Sequence, residues 1–445
     1  MKVLNITPHL GGGVGTSIED YIRQSHSLGV ENSIFCLDSC IQKPELGSIP
    51  TSFIEDVFWG DRQLLLEEIV MCDVVLVHYW NHPLLTVFLS ETKLPKSKLV
   101  FWCHNSGLFE PHIIPNYVAS IASKVVFSSA ISTNAYNFDY LDSVGISRCA
   151  TVPTVRNLDA FFEIGAARVE KKLILNLVYV GTVSKSKMHP DSALIFSELS
   201  RHGFSVKVVG GPDHEILDAE VRALGGKVEI FGKEKEVLNF YESADLFIYP
   251  LRPDHYGTGE QVLLEAMASG LPVVAFNNPA ERAILSQFKG SRLVGSVDEF
   301  LSSVVNLTGD PQNLFSISQE VFSKAQSVFK PGIMAREMMK HLEQVSSSGH
   351  HETLELTSKN VNNILAIYAR SSFYDESFYV HALEELSKSI GLMTSKVTKE
   401  LLEPGGIEKW FALDKSTPWQ YLRYFPNDIG LALLVKELER VRSQL

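Results

Sequence analysis

One stretch, residues 244–275, reading ADLFIYPLRPDHYGTGEQVLLEAMASGLPVVA, limits what this chain can become. A short apolar run at 246–249, closed by Pro250, reads as a buried strand. A polar, glycine-bearing loop follows at 251–257. Thr258, with Gln261 three residues on, fits a capping box, which makes Thr258 the expected N-cap of a helix. Gly270 and Pro272 stop that helix in the usual order, and 272–276 is the next strand. The unit is strand, loop, helix, strand. Its loop lies at the carboxyl edge of a parallel sheet, where open α/β sheets bind ligands.

Three properties make the loop a candidate diphosphate site. Gly257 and Gly259 let the backbone approach a ligand with no Cβ in the way. The amides of the first helical turn and the helix dipole favour an anion there. Glu265 shares a helix face with Gln261 and Thr258, so its carboxylate could accept ribose hydroxyls from a nucleotide whose phosphates sit at the helix mouth. An ordinary loop with a solvated glutamate fits the same spacing.

The segment resembles the donor site of family 4 of the retaining glycosyltransferases. That resemblance covers roughly residues 1–345 and implies an α/β chain of GT-B fold, two Rossmann-like domains facing a central cleft. In that family two glutamates flank seven residues. The second matches Glu265 and implies a ribose contact. The first falls on Gly257, so that glutamate is absent; Glu260, three residues later, is a substitute that does not match in position.

The chain has 445 residues, enough for two or three domains, with the hydrophobic (45%) and charged (21%) content of a globular protein. A formal net charge of −12 argues against a general nucleic-acid binder. No apolar run reaches the roughly 18 residues of a membrane-spanning helix, and the N-terminus opens a strand rather than a signal peptide. Five scattered cysteines, at 36, 40, 72, 103 and 149, point to reduced thiols in the cytoplasm, packed in the core.

Taken in order, a strand at 3–7 runs into a glycine-rich turn containing Gly12 and Gly13, then a helix at about 17–28. The spacing is neither G-x-G-x-x-G nor a P-loop, yet such a turn suits a phosphate or a sugar approaching the backbone. The similar family sets this turn against the donor diphosphate. Strands at 33–37, 73–78, 99–103, 125–128 and 150–152 complete a first Rossmann-like domain, residues 1–160. His104 follows the strand at 99–103 at the ligand edge, where the similar family has a histidine facing the donor sugar. Trp80, His82 and His112 lie in or near such loops, as acceptor contacts or as polar filler.

Residues about 157–172 read as a hinge. A second Rossmann-like domain, 170–330, starts with a strand at 173–179 and the turn carrying Lys185 and Lys187. The similar family has an arginine after the turn glycine and a lysine five residues further, both on the diphosphate. Lys187 matches the lysine, whereas Thr182 replaces the arginine; Lys185 or Arg252 is available to compensate. Strands at 204–209 and 228–231 follow, the first ending in Gly211 at the ligand edge. Residues 331–346 form a helix that, by the resemblance, crosses back to the first domain. Helical periodicity at 360–370, 377–392 and 430–442, with recurring aromatics (Phe373, Tyr374, Phe378, Tyr379, Trp410, Trp419, Tyr421, Tyr424, Phe425), makes 352–445 read as an α-helical extension with its own small core. That extension is a candidate site for homo- or hetero-oligomerisation.

No D-x-D pair occurs, so neither a metal nor any cofactor is implied. The expected chemistry is metal-independent transfer of a sugar, from a UDP-sugar by family frequency, to a hydroxyl of a glycan, glycolipid, protein or small molecule. Catalysis is assigned to His104, Lys187 and Glu265. Donor binding is assigned to Gly12, Gly13, Gly211, Gly257, Thr258, Gly259, Glu260 and Gln261. A nucleotide-sugar epimerase or phosphorylase of the same fold, and a non-catalytic subunit, are the alternatives.

Overall fold

The computed structural model describes residues 1–39, 46–54, 62–92, 94–134, 148–170, 173, 176–330, 332–348, 364–372 and 416–442. By internal contacts the chain divides into two units, Met1–Thr154 with Met334–Leu445, and Val155–Ile333.

The first unit holds a seven-stranded parallel sheet. Its strands are β1 (Lys2–Thr7), β2 (Glu31–Cys36), β3 (Ser52–Ile54), β4 (Val74–Tyr79), β5 (Leu99–Cys103), β6 (Lys124–Phe127) and β7 (Cys149–Thr151), in the order β3-β2-β1-β4-β5-β6-β7. Both faces are covered, so the central strands are near-continuous apolar runs. Val3, Leu76 and Trp102 face Ile18 and Tyr21 of helix Gly12–His26 and Met334, Met338 and Leu342 of helix Ile333–Ser347. Leu4, Ile6, Val75 and Phe101 face the opposite way, toward helix Pro83–Glu91.

The C-terminal extension differs from expectation. Its described helices, Ile364–Ser372, Pro418–Tyr424 and Ile429–Arg442, place Leu365, Tyr368, Tyr421, Leu431 and Leu434 in the same core as Leu4 and Val75. There is no separate small core among these residues. Polar contacts tie the helices down: Asn81 Nδ2 donates to the Ser371 carbonyl at 2.6 Å, the Tyr421 and Thr86 hydroxyls meet at 2.6 Å, and the Tyr424 hydroxyl donates to Asp38 at 2.8 Å. The helical segment read at 377–392 and the aromatics Phe373, Tyr374, Phe378, Tyr379 and Trp410 lie outside the described residues.

The second unit holds a six-stranded parallel sheet of β8 (Asn176–Val180), β9 (Ser205–Val209), β10 (Val228–Phe231), β11 (Leu246–Tyr249), β12 (Val273–Phe276) and β13 (Arg292–Val294), ordered β10-β9-β8-β11-β12-β13. Within the stretch read as a hinge, Asp159–Ala166 is a helix with Phe161 and Gly165 buried in this unit. Arg168 donates to the carbonyls of Ser269, Ala244 and Tyr241, stapling that segment to the sheet's helices. Among the described residues no helix is long and apolar enough to cross a membrane, and Cys72 and Cys103 are free thiols.

Candidate functional site

In each sheet the strand order reverses once, between β1 and β4 in the first and between β8 and β11 in the second. The crevice at the carboxyl ends of such strands is where doubly wound sheets take ligands. The residues singled out from sequence fall at these two edges.

In the first unit, Gly12 and Gly13 open helix Gly12–His26, both exposed, with no acidic side chain in the first turn and no side-chain cap. Gly12 has φ +65°, which a residue with a Cβ rarely adopts. Trp80 and His82 follow β4, and His104 follows β5. His9, Trp80, His82 and His104 form a ring cluster, with centroids 5.5 Å apart for His9–Trp80, 5.4 Å for His9–His82 and 6.5 Å for Trp80–His104. His82 is buried and caps helix Pro83–Glu91 through Nδ1, which accepts from the Leu84 amide at 3.3 Å. His112 is also buried, and its carbonyl accepts from Asn105 at 2.8 Å.

His104 Nε2 lies 3.0 Å from His78 Nδ1, and His78 Nε2 lies 3.2 Å from Asn5 Oδ1. Burial pushes the His104 pKa down to about 3 and that of His78 well below 6.5, so both rings are neutral at physiological pH. Sequence reasoning missed Asn5 and His78, although each is a polar residue inside an otherwise apolar strand. Such a residue needs a buried partner, and that is a legible signal.

In the second unit the loops after β8 and β11 are zipped together: the Arg252 amide donates to the Lys187 carbonyl at 3.0 Å and the His189 amide to that of Pro250 at 2.9 Å. This brings Lys187 to Glu260, 73 positions away, at 2.8 Å. The pair is nearly dry, with side-chain exposures of 12% and 4%. Burial disfavours both charges, but each outweighs that on the other. The Glu260 carboxylate holds the Lys187 pKa above its usual value, and Lys187 with His255 holds Glu260 below the usual carboxylate range. The Tyr249 hydroxyl also donates to Glu260.

This arrangement corrects the capping reading. The helix runs Gln261–Ala268, with Glu260 rather than Thr258 at the N-cap position and no side-chain cap bond. Glu260 has φ −31° and ψ 87°, its carboxylate turned toward Lys187 and Tyr249, so the helix starts only after it. Thr258 and Gly259 precede the helix, and Gln261 is its first residue. The protein's own carboxylate therefore occupies the Lys187 ammonium and not the amides of the helix mouth.

Gly257 explains how Glu260 fits. A Cβ built on Gly257 would lie 1.6 Å from Glu260 Oε1 and 2.8 Å from His255 Nδ1. The carboxylate from position 260 fills the space that a side chain at 257 would need. His255 accepts from the Gly257 amide at Nδ1 (3.0 Å) and turns Nε2 to Glu281 at 3.1 Å, adding a second fully buried carboxylate. Gly211 follows β9, its carbonyl accepting from the Val183 amide at 3.1 Å.

Glu265, one turn into the helix, is 4% exposed and engaged at both oxygens. Arg156 Nη1 lies 2.5 Å from Oε1, and the Tyr241 hydroxyl donates to Oε2 at 2.7 Å. Neither partner was legible; Arg156 is 109 positions away. The two cations offered in place of the missing arginine are used elsewhere. Arg252 forks onto Asp254 at 2.6 and 3.2 Å, and Lys185 is 65% exposed beside Glu220.

Residues 175–310 match the family model described as Glycosyl transferases group 1, a span that includes Lys187, Glu260 and Glu265. No curated protein matches the chain. Among solved structures the chain is similar to a glycosyltransferase from Rickettsia africae ESF-5, at 16% identity and TM-score 0.56 over 78% of this chain and 99% of that one. It is similar to Anabaena Alr3699/HepE in complex with UDP and glucose, at 16% identity and TM-score 0.59 over 77% and 100%. A third is the catalytic domain of starch synthase IV from Arabidopsis thaliana bound to ADP and acarbose, at 13% identity and TM-score 0.57 over 78% and 99%. The chain has the GT-B fold of glycosyltransferases, extended at its C-terminus.

Proposed function

We propose that the protein transfers a sugar from a nucleotide-diphosphate donor to an acceptor hydroxyl, with retention, with no metal or other cofactor, and with UDP as the favoured nucleotide. The observation that carries this reading is the buried Lys187–Glu260 pair at the carboxyl edge of the second sheet, with Glu265 farther along the helix that follows Glu260, all inside the segment that matches the glycosyltransferase model. Lys187 takes the donor diphosphate by exchanging Glu260 for a phosphate oxygen, and stabilises the charge that develops on the leaving nucleotide. Once released, the Glu260 carboxylate can accept a sugar hydroxyl. Glu265 need not let go of Arg156 or Tyr241 to hold a ribose, because a carboxylate has about four acceptor positions and these partners use two. Retention and the choice of UDP rest on family resemblance. The UDP complex of Alr3699/HepE favours that nucleotide, and the ADP complex of the starch synthase makes ADP-sugars the necessary comparison.

The test is nucleotide release and sugar transfer by the purified full chain across UDP-, ADP- and GDP-sugars. Lys187→Ala should lower kcat by about 10²–10³-fold, and Glu265→Ala should raise the donor KM. Turnover unchanged in both variants would overturn the assignment. A second reading, a nucleotide-binding subunit without turnover, is favoured by the pairing of Lys187 with Glu260 and of Glu265 with Arg156. It predicts saturable nucleotide binding with no release from any donor.

A further inference from the structure

Five polar side chains of the first unit, four of them buried and His104 partly so, are joined in one direction. The Ser25 hydroxyl donates to the Ile22 carbonyl at 3.2 Å, leaving its oxygen to accept from Asn32 Nδ2 at 3.0 Å. Asn32 Oδ1 accepts from Asn5 Nδ2 at 3.1 Å, and Asn5 Nδ2 also donates to the Ser33 carbonyl at 3.1 Å. A backbone carbonyl cannot donate, so the Asn5 amide has one orientation, with Oδ1 facing His78 Nε2 at 3.2 Å. Oδ1 can only accept, so Nε2 carries the His78 proton. His78 Nδ1 is then a lone pair, and the proton in the 3.0 Å contact with His104 Nε2 must belong to His104. The ring geometry agrees. The two imidazoles are within 13° of parallel with centroids 5.3 Å apart, which a 3.0 Å contact spans only if both nitrogens lie near the line joining the ring centres.

We infer that Asn5 and His78 are positioning residues that fix His104 as the Nε2–H tautomer, so that His104 meets its ligand as a hydrogen-bond acceptor at Nδ1. An imidazolium at His78 would reverse the bond, but Ser25, Asn5 and His78 are fully buried and Asn32 nearly so, and burial keeps His78 neutral. The consequence for substrate rests on the glycosyl-transfer reading. A phosphate oxygen set against Nδ1 would bring lone pair against lone pair, whereas a sugar hydroxyl can donate. The chain thereby assigns His104 to a hydroxyl of donor or acceptor and not to the diphosphate.

The test is histidine tautomer assignment by ¹⁵N NMR on the full-length chain, with signals identified by their loss in His104→Gln and His78→Gln. Wild-type His104 should be Nε2–H. Asn5→Leu, which removes the acceptor, should release His78 to carry its proton on Nδ1, and His104 should become Nδ1–H or a mixture. With an active donor, kcat should fall about 10- to 100-fold in Asn5→Leu with the donor KM little changed. An Nδ1–H His104 in the wild type, or a tautomer and kcat indifferent to Asn5→Leu, overturns the inference. The wild-type spectrum decides this even if no donor is turned over, an outcome that would count against glycosyl transfer alone.

Discussion

The two sheet edges solve the same problem, a polar group in an apolar setting, in opposite ways. The first unit uses neutral groups: Asn5, His78 and His104 share protons along a line and carry no charge. The second uses ions: Lys187 against Glu260, and Arg156 against Glu265, each pair drawn from distant parts of the chain. A neutral line fixes direction at little desolvation cost, and a ligand joins its end without disturbing it. A buried ion pair fixes position strongly, but an incoming anion must replace one of its members. The first edge is built to orient and the second to exchange.

Acid should separate the two most clearly. An unfolded histidine takes a proton near pH 6.5, whereas folded His104 waits until about 3 and His78 is held well below 6.5. Between those values the unfolded chain binds more protons, so stability falls as pH drops below 6.5, by on the order of 2 kcal/mol at pH 5 for His104, with His78 adding to the loss in the same direction. Glu260 is depressed instead. Its contribution is present above 4.5 and is lost only as pH falls through its lower folded value. Hydrogen exchange, corrected for intrinsic rates, should show β4 losing protection at a higher pH than β11. The reverse order would remove the distinction. At neutral pH the next largest effect is Glu265→Ala, which strands Arg156. Because Arg156 keeps 30% exposure, we expect the lower end for breaking a buried pair, about 3 kcal/mol in urea unfolding. Replacing both members with apolar residues should recover most of it. A single-variant loss under 1 kcal/mol would mean that the pair is solvated.

What the sequence made legible was local. The strand at Leu246–Tyr249 is a short apolar run stopped by proline, and Leu99–Cys103 is equally plain. The edge strands β3 and β13 were not seen, being three residues long and partly exposed. The N-cap was misplaced because Lys187, 73 positions away, draws Glu260 out of the helix; no window of local propensity contains that partner. The aromatic spacing of the extension announced a core without saying whose, and Tyr421 answers through Thr86, 335 positions away. The site residues were found as single positions, but their pairing was not, since pairing is a property of the fold.

Two smaller effects sharpen the second edge. Gly257→Ala sets a methyl group against Glu260 and His255; Glu260 must swing away, at about 1–2 kcal/mol by calorimetry, with weaker nucleotide binding as Lys187 loses its alignment. A donor affinity that rises instead would mean that Glu260 mainly blocks the phosphate. The smallest effect belongs to Lys185, whose sequence position made it a candidate phosphate cation. It is 65% exposed and faces a Glu220 that is 45% exposed, so water screens the pair and Lys185→Ala should change stability by less than about 0.5 kcal/mol. Nucleotide affinity by titration calorimetry should be unchanged within twofold. If it drops tenfold, Lys185 swings inward when the donor arrives, and the second edge holds a mobile cation in addition to the paired Lys187.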